Sequence, residues 1–313
     1  MKQLLLVCLY IWCFSITLIS STQAFQFAVI SDVQTAALDK ALEFITSQDV
    51  NLVLLPGDFF NDAQDYYSHF VKFGLDVSPG KAPNQQAVYF IIGNHDLPPA
   101  GGYIFRKAAL CYPKNGPVHA PLGTIFSFDR DECHFVITNQ YWDCPNGGYT
   151  DAQLKWSEQD LKASDRNFKF VFGHEPAFPL SRHENDSLDA DPARRDRFWH
   201  ILKANGAQAF FCGHTHNLSH VLQKGVYQID SGKVDDNGPI CVTLVDVKRG
   251  KATVKSYQTN GSLPEMNDLV IQTRMDAKLR PVATDGPEVL FSAEEEGLVG
   301  KLRSIRSFLI DRL

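Results

Sequence analysis

The stretch FQFAVISDVQ, residues 25–34, runs apolar as far as Ile30 and then delivers Asp32 and, after Val33, Gln34. Asp is depleted in strands, so one at the end of an apolar run caps a helix or serves a site. Four later runs end in the same way. NLVLLPGD finishes in Gly57-Asp58, AVYFIIGNHD in Gly93-Asn94-His95-Asp96, FKFVFGHEP in Gly173-His174-Glu175-Pro176 and AQAFFCGHTH in Gly213-His214-Thr215-His216. The polar ends of parallel strands in open α/β sheets converge on one crevice. Each glycine permits a turn that lets the next side chain leave the sheet. The collected donors are Asp32, Asp58, Asn94, His174, His214, His216 and, as a further candidate, Gln34. Carboxylate, amide oxygen and imidazole together suit divalent first-row metals. A single strand-end His is an ordinary hydrogen-bonded residue. Five such tags in order make a site.

The segments between the tags alternate. Thr35 to Ser47 carries Leu38, Leu42 and Ile45 on one helical face, and DYYSHFVKFGL also has a helical pattern. TIFSFDRDECHFVITN reads as an antiparallel hairpin. TDAQLKWSEQDLKAS is a helix N-capped by Thr150 with Leu154, Trp156 and Leu161 inward, and DPARRDRFWHILKANG has helix-start Asp-Pro and helix-stop Gly. GVYQIDSG, ICVTLVDV and KATVKSYQ supply three late strands. Strand–helix alternation with hairpins predicts a mixed α/β (α+β) fold, its helices outside mixed sheets.

The chain of 313 residues has a formal net charge of −6, which argues against nucleic acid as a partner, since phosphate backbones demand basic surfaces. Lys2, the uncharged run 4–19 and the small residues up to Ala24 read as a secretory signal peptide, residues 1–24, with Thr22 and Ala24 suiting its cleavage site. A membrane anchor formed by residues 4–19 is the other reading. Beyond it lie Cys111, Cys133, Cys144, Cys212 and Cys241, enough for two disulfides and a thiol, with Cys212 read as a buried thiol. Asn185, Asn217 and Asn260 begin Asn-x-Ser triplets. Residues 25–260 form the expected domain and 261–313 a C-terminal extension. There, Ser292 and Glu295 match a capping box before Leu298, Leu302, Ile305 and Leu309, a helix that docks on the core or meets a membrane or partner.

With these tags the chain resembles the calcineurin-like metallophosphoesterase superfamily, over roughly Phe25 to Gln258. The resemblance implies a four-layer α/β/β/α sandwich of the metallo-dependent phosphatase kind. It implies two divalent metal ions, Mn²⁺ foremost, with Fe, Zn and Mg as alternatives. Asp58 would bridge them. Asp32, His216 and position 34 would complete one site, and Asn94, His174 and His214 the other. His95 would lie beside the phosphate as general acid, with Asp96 orienting its ring. The departure is Gln34, where most of the superfamily has His. Its neutral amide oxygen is the poorer donor and should hold metal less tightly. This Asp-x-Gln form is similar to ADP-ribose/CDP-alcohol diphosphatase-like and small protein-phosphatase-like branches.

The implied activity is hydrolysis of a phosphate monoester, diester or nucleoside-diphosphate-type substrate, small or protein-borne, through a dinuclear metal-activated hydroxide. Asn94, His95 and Arg106 are candidate substrate contacts, and Tyr103, Phe105, Tyr141 and Trp142 could stack on a leaving group or simply pack. The opposed reading is a catalytically inactive metal-binding or interaction protein that keeps the fold. Only position 34 favours it.

Overall fold

The structure, a computed structural model, describes residues 25–50, 52–59, 63–75, 81–82, 85–97, 110–259, 269–276 and 288–292. In chain order the elements are β1 (Phe25–Val29), α1 (Thr35–Ser47), β2 (Val53–Pro56), α2 (Ala63–Lys72), β3 (Val88–Ile91), β4 (Phe126–Arg130), β5 (Cys133–Ile137), α3 (Asp151–Ala163), β6 (Phe168–Phe172), α4 (Pro192–Ala204), β7 (Ala209–Cys212), β8 (Leu218–Gln223), β9 (Val226–Ser231), β10 (Cys241–Lys248), β11 (Lys251–Gln258), β12 (Leu269–Asp276) and β13 (Glu288–Ser292). They form a six-stranded sheet, β12-β11-β10-β1-β2-β3, and a seven-stranded sheet, β13-β8-β9-β7-β6-β5-β4. β1, β2 and β3 run parallel, as do β5, β6, β7 and β9. The remaining pairings are antiparallel, so both sheets are mixed as expected.

Phenylalanines join the sheets. Phe27 of β1 meets Phe135, Phe170, Phe172 and Phe211 of the second sheet, with ring centroids 5.2–6.5 Å apart. It is wholly buried, so truncation to Ala removes about 3–5 kcal/mol. α1 buries Ala37, Leu38, Ala41, Leu42 and Ile45 and packs on β10, with α2 beside it. On the other outer face, Leu154 and Leu161 of α3 and Phe198, Trp199 and Leu202 of α4 pack over Val136, Val171 and Phe210. That order is helix, sheet, sheet, helix.

Helix starts follow the expected chemistry. Thr150 Oγ1 accepts the Gln153 N–H at 3.2 Å, and Asp191 Oδ1 accepts that of Arg194 at 3.1 Å. Trp156 is half-buried, its Nε1 donating to Asn115 O at 2.8 Å. The five cysteines are free thiols, Cys212 buried among them, so no disulfide joins the described residues. Asn217 is fully buried, which removes its triplet from modification in the folded chain. β12 and β13, which follow residue 260, each add an edge strand. Residues 1–24, Tyr103, Phe105, Arg106, Asn260 and the helix expected after Ser292 lie outside the described residues. Among the described helices, none is long and apolar enough to cross a membrane.

Candidate metal centre

The parallel strands point the same way, so the tags after β1, β2, β3, β6 and β7 meet at one end of the sandwich. The turns are sharp. Asp32, Asp58, His214 and His216 have φ of +51°, +56°, +71° and +62°, the left-handed region. Each such residue costs of order 1–3 kcal/mol, and it persists only where its surroundings hold it. Asp32 donates its N–H to Gly57 O at 3.2 Å and Val33 to Asp58 O at 2.8 Å, tying the first two tags together. The two sheets come close enough only because of glycine. A Cβ on Gly213 would stand 1.8 Å from Ser31 Oγ, and one on Gly57 2.4 Å from His174 Nδ1.

His174 is the centre of the arrangement and is wholly buried. Its backbone N–H donates to Gln140 Oε1 at 2.6 Å, and its Nδ1 lies 2.7 Å from Pro56 O. A carbonyl only accepts, so Nδ1 carries the proton and Nε2 of the neutral ring holds a lone pair. Around Nε2 stand Asn94 Oδ1 at 2.9 Å, Asp58 Oδ2 at 3.2 Å and His214 Nδ1 at 3.2 Å. With that ring neutral, four electron-pair donors face one another, an arrangement that favours positive charge at this point. The field says the same. Burial alone would lower the His174 pKa, but the Asp58 carboxylate reverses this and drives it up to about 10. Burial raises the Asp58 carboxyl, and His174 more than offsets it, down to about 2.

Asp32 completes the ring of donors. Its Oδ2 accepts from Ser31 Oγ at 2.7 Å and from the His214 N–H at 2.9 Å. Its Oδ1, buried without a hydrogen bond, lies 3.3 Å from His216 Nε2. His214 Nε2 is also buried and unpartnered. The orphaned Asp32 Oδ1 and the donors gathered around His174 Nε2 fit divalent ions, which Asp32, Asp58, Asn94, His174, His214 and His216 would hold.

Two expectations read differently in the folded chain. Gln34 is exposed, and in the amide orientation that satisfies its neighbours it donates to Asp235 Oδ1 at 3.0 Å and Asp236 Oδ1 at 2.5 Å. Asp96, expected at the His95 ring, accepts backbone N–H groups that the expectation did not include: Asp58 and Gly93 at 2.8 Å, Phe59 at 3.1 Å. It is a positioning residue for the Asp58 turn. Burial and the Asp58 charge push its pKa up to about 8. His95 is exposed at the mouth, its backbone N–H donating to Asp58 Oδ1 at 2.9 Å. Tyr141 and Trp142 are buried, and Tyr141 Oη donates to Glu175 Oε1 at 2.8 Å.

Sequence reading missed Gln140, Glu175, Asp230, Arg182 and His183. Gln140 brackets the His174 turn, accepting from Glu175 N at 2.7 Å and donating to Glu175 O at 2.9 Å. Burial pushes Glu175 up to about 7. Asp230 accepts from Thr215 Oγ1 at 2.6 Å, between the two histidines of that tag. The His183 ring lies 4.1 Å from that of His214. A signal for Gln140 did exist, because HFVITNQ is a sixth apolar run ending in polar residues.

A four-layer sandwich with this donor set at its strand ends belongs to the metallo-dependent phosphatase class. The calcineurin-like phosphoesterase family pattern matches residues 25–218, and the chain belongs to that family. It is 27% identical to purple acid phosphatase 22 of Arabidopsis thaliana over 241 residues, 72% of this chain and 51% of that protein. It is 25% identical to the 3′,5′-cyclic adenosine monophosphate phosphodiesterase CpdA of Vibrio vulnificus (strain CMCP6) over 153 residues, 47% of this chain and 50% of that one. The chain thus spans about half the length of these relatives. A dimetal phosphatase from Danio rerio shares the fold, with TM-score 0.52 and 15% identity over 76% of this chain and 99% of that one. The family implies two divalent ions.

Proposed function

We propose that the chain is an exported, metal-dependent phosphoesterase with Mn²⁺ as the preferred ion. The observation that carries this is the meeting of Asp58, Asn94 and His214 donors around the His174 lone pair. When bound, divalent ions would make hydroxide available near neutral pH and neutralise charge on the phosphoryl group. The protein's own part is placement. Gln140 fixes the His174 backbone and Pro56 O its ring, Ser31 and the His214 N–H fix Asp32, and Asp96 fixes the turn that presents Asp58. His95, at the mouth, donates a proton to the departing oxygen. Oxygen donors from Asp and Asn beside imidazole suit Mn²⁺. Residues 1–24 direct export, and the substrate is a small-molecule or protein phosphoester.

The test is turnover of p-nitrophenyl phosphate and bis-p-nitrophenyl phosphate by the full chain, after EDTA and then with Mn²⁺ restored. Activity should vanish and return, and His95→Ala should lower kcat about 10²–10⁴-fold. Metal uptake without turnover of any ester would establish a binding protein instead.

A further inference from the structure

Between β6 and α4 the chain makes a long loop whose course is set by buried side chains. Gln228 Oε1 accepts the N–H groups of Ala177 and Phe178 at 2.7 and 2.9 Å, and its Nε2 donates to Phe178 O at 2.8 Å. Asn217, next to His216, donates to Leu180 O at 2.6 Å and to Ser181 Oγ at 2.7 Å. Ser181 and His183 have φ of +61° and +55°. A left-handed non-glycine costs of order 1–3 kcal/mol, so two in three residues mark a segment held in place by its contacts.

Arg182 lies between them. Its Nη1 stands 2.9 Å from His216 Nδ1. Arg166, Arg194, Arg195 and Arg197 each close on an aspartate, whereas Arg182 has no carboxylate within salt-bridge distance among the described residues. A half-buried guanidinium is thus aimed at the candidate centre without an anion of its own. Its present partner is also conditional. A ring nitrogen that accepts an N–H carries no proton. If His216 offers Nε2 to a metal, its proton sits on Nδ1, and Arg182 must turn elsewhere.

We propose that Arg182 contacts substrate, gripping non-bridging phosphate oxygens and favouring phosphate monoesters over diesters; this rests on the phosphoesterase reading of the same site. The guanidinium fork matches two phosphate oxygens at once. A fixed cation attracts in proportion to charge, so a dianionic monoester gains about twice what a monoanionic diester does.

Arg182→Gln and Arg182→Lys in the full, Mn²⁺-loaded chain test this. With Gln, kcat/KM for p-nitrophenyl phosphate should fall about 10²-fold and that for the bis ester less than about 10-fold. Lys should restore part of the loss, and inhibition by inorganic phosphate should weaken in parallel. Mn²⁺ affinity, measured by calorimetry, should hold or tighten, because a competitor for His216 is gone. Equal losses on both esters, no loss, or weakened Mn²⁺ binding would each overturn the assignment. If the unaltered chain turns over neither ester, the phosphoesterase reading fails instead. Arg182 is then judged by inorganic phosphate binding to the Mn²⁺-loaded protein, and indifference to the substitution overturns it.

Discussion

Asp58 Oδ2 and His174 Nε2 stand 3.2 Å apart although they leave different sheets, one from the end of β2 and the other from the end of β6. A cation taken up there pins the two halves of the sandwich together, so metal should act on stability as well as turnover. At a free Mn²⁺ concentration of about 100 Kd the gain is about 2.7 kcal/mol. In a chain of this size that raises Tm by roughly 2–4 °C per kcal/mol. Calorimetry in EDTA and in Mn²⁺ should therefore differ by several degrees, and Asp58→Asn should abolish the difference. An unmoved Tm in the unaltered chain would remove the cation from this joint.

Asp96 and His95 are neighbours in sequence, yet substitution should separate them. Asp96→Asn places an amide where three backbone N–H groups converge, leaving donors unsatisfied at about 1–3 kcal/mol. Because those groups shape the Asp58 turn, Mn²⁺ affinity should drop about 10–100-fold. His95→Gln should leave melting and Mn²⁺ binding alone and lower only kcat. If both variants lose metal equally, the division of roles between the two residues is wrong.

Gln34 holds Asp235 and Asp236 by hydrogen bonds, and an exposed amide contributes little there. Gln34→Ala should change Mn²⁺ affinity less than about 3-fold, whereas Gln34→His supplies a stronger donor and should tighten it. Titration of activity with Mn²⁺ in the three proteins checks both. A large loss in Gln34→Ala would make the amide a ligand after all.

The strand ends were legible because apolar runs stop abruptly at short-range signals, a small residue followed by Asp, Asn or His. Asp32, Asp58, Asn94, His174, His214 and His216 came from that pattern. β8, LSHVLQ, did not, since Ser219, His220 and Gln223 read as polar although all are buried. Their partners are distant in sequence: His220 meets Ser256 and Thr273 of the opposite sheet. Arg182 was illegible for a similar reason, because its place depends on Asn217 and Gln228 holding the loop from below. No local periodicity encodes a contact made by a loop. Asp96 was legible only in part, as nothing local to its motif shows that the backbone of the neighbouring tag also donates to its carboxylate.

Two buried histidines should give stability opposite dependences on pH. His134 lies between Asp129 Oδ1 at 2.6 Å and Asp160 Oδ2 at 2.8 Å. Burial works against its charge, but the two carboxylates raise its pKa above the ordinary value. The folded state therefore binds the proton more tightly than the unfolded one. The stabilisation is fully present below the unfolded pKa of about 6.5 and fades as pH rises through the folded value. His220 is the converse. Its Nδ1 and Nε2 are 2.7 and 2.9 Å from Thr273 Oγ1 and Ser256 Oγ, and burial lowers its pKa to about 3. Folding excludes that proton, so below pH 6.5 stability falls by about 1.4 kcal/mol per pH unit until the folded group itself titrates. Urea unfolding from pH 4.5 to 8.5 separates the two. The advantage of the unaltered chain over His134→Gln should shrink with rising pH. Its advantage over His220→Leu should grow with rising pH, beginning from the hydroxyls of Ser256 and Thr273 left unpaired at about 1–3 kcal/mol. Parallel profiles for the two variants would show that neither ring holds the charge state its neighbours dictate.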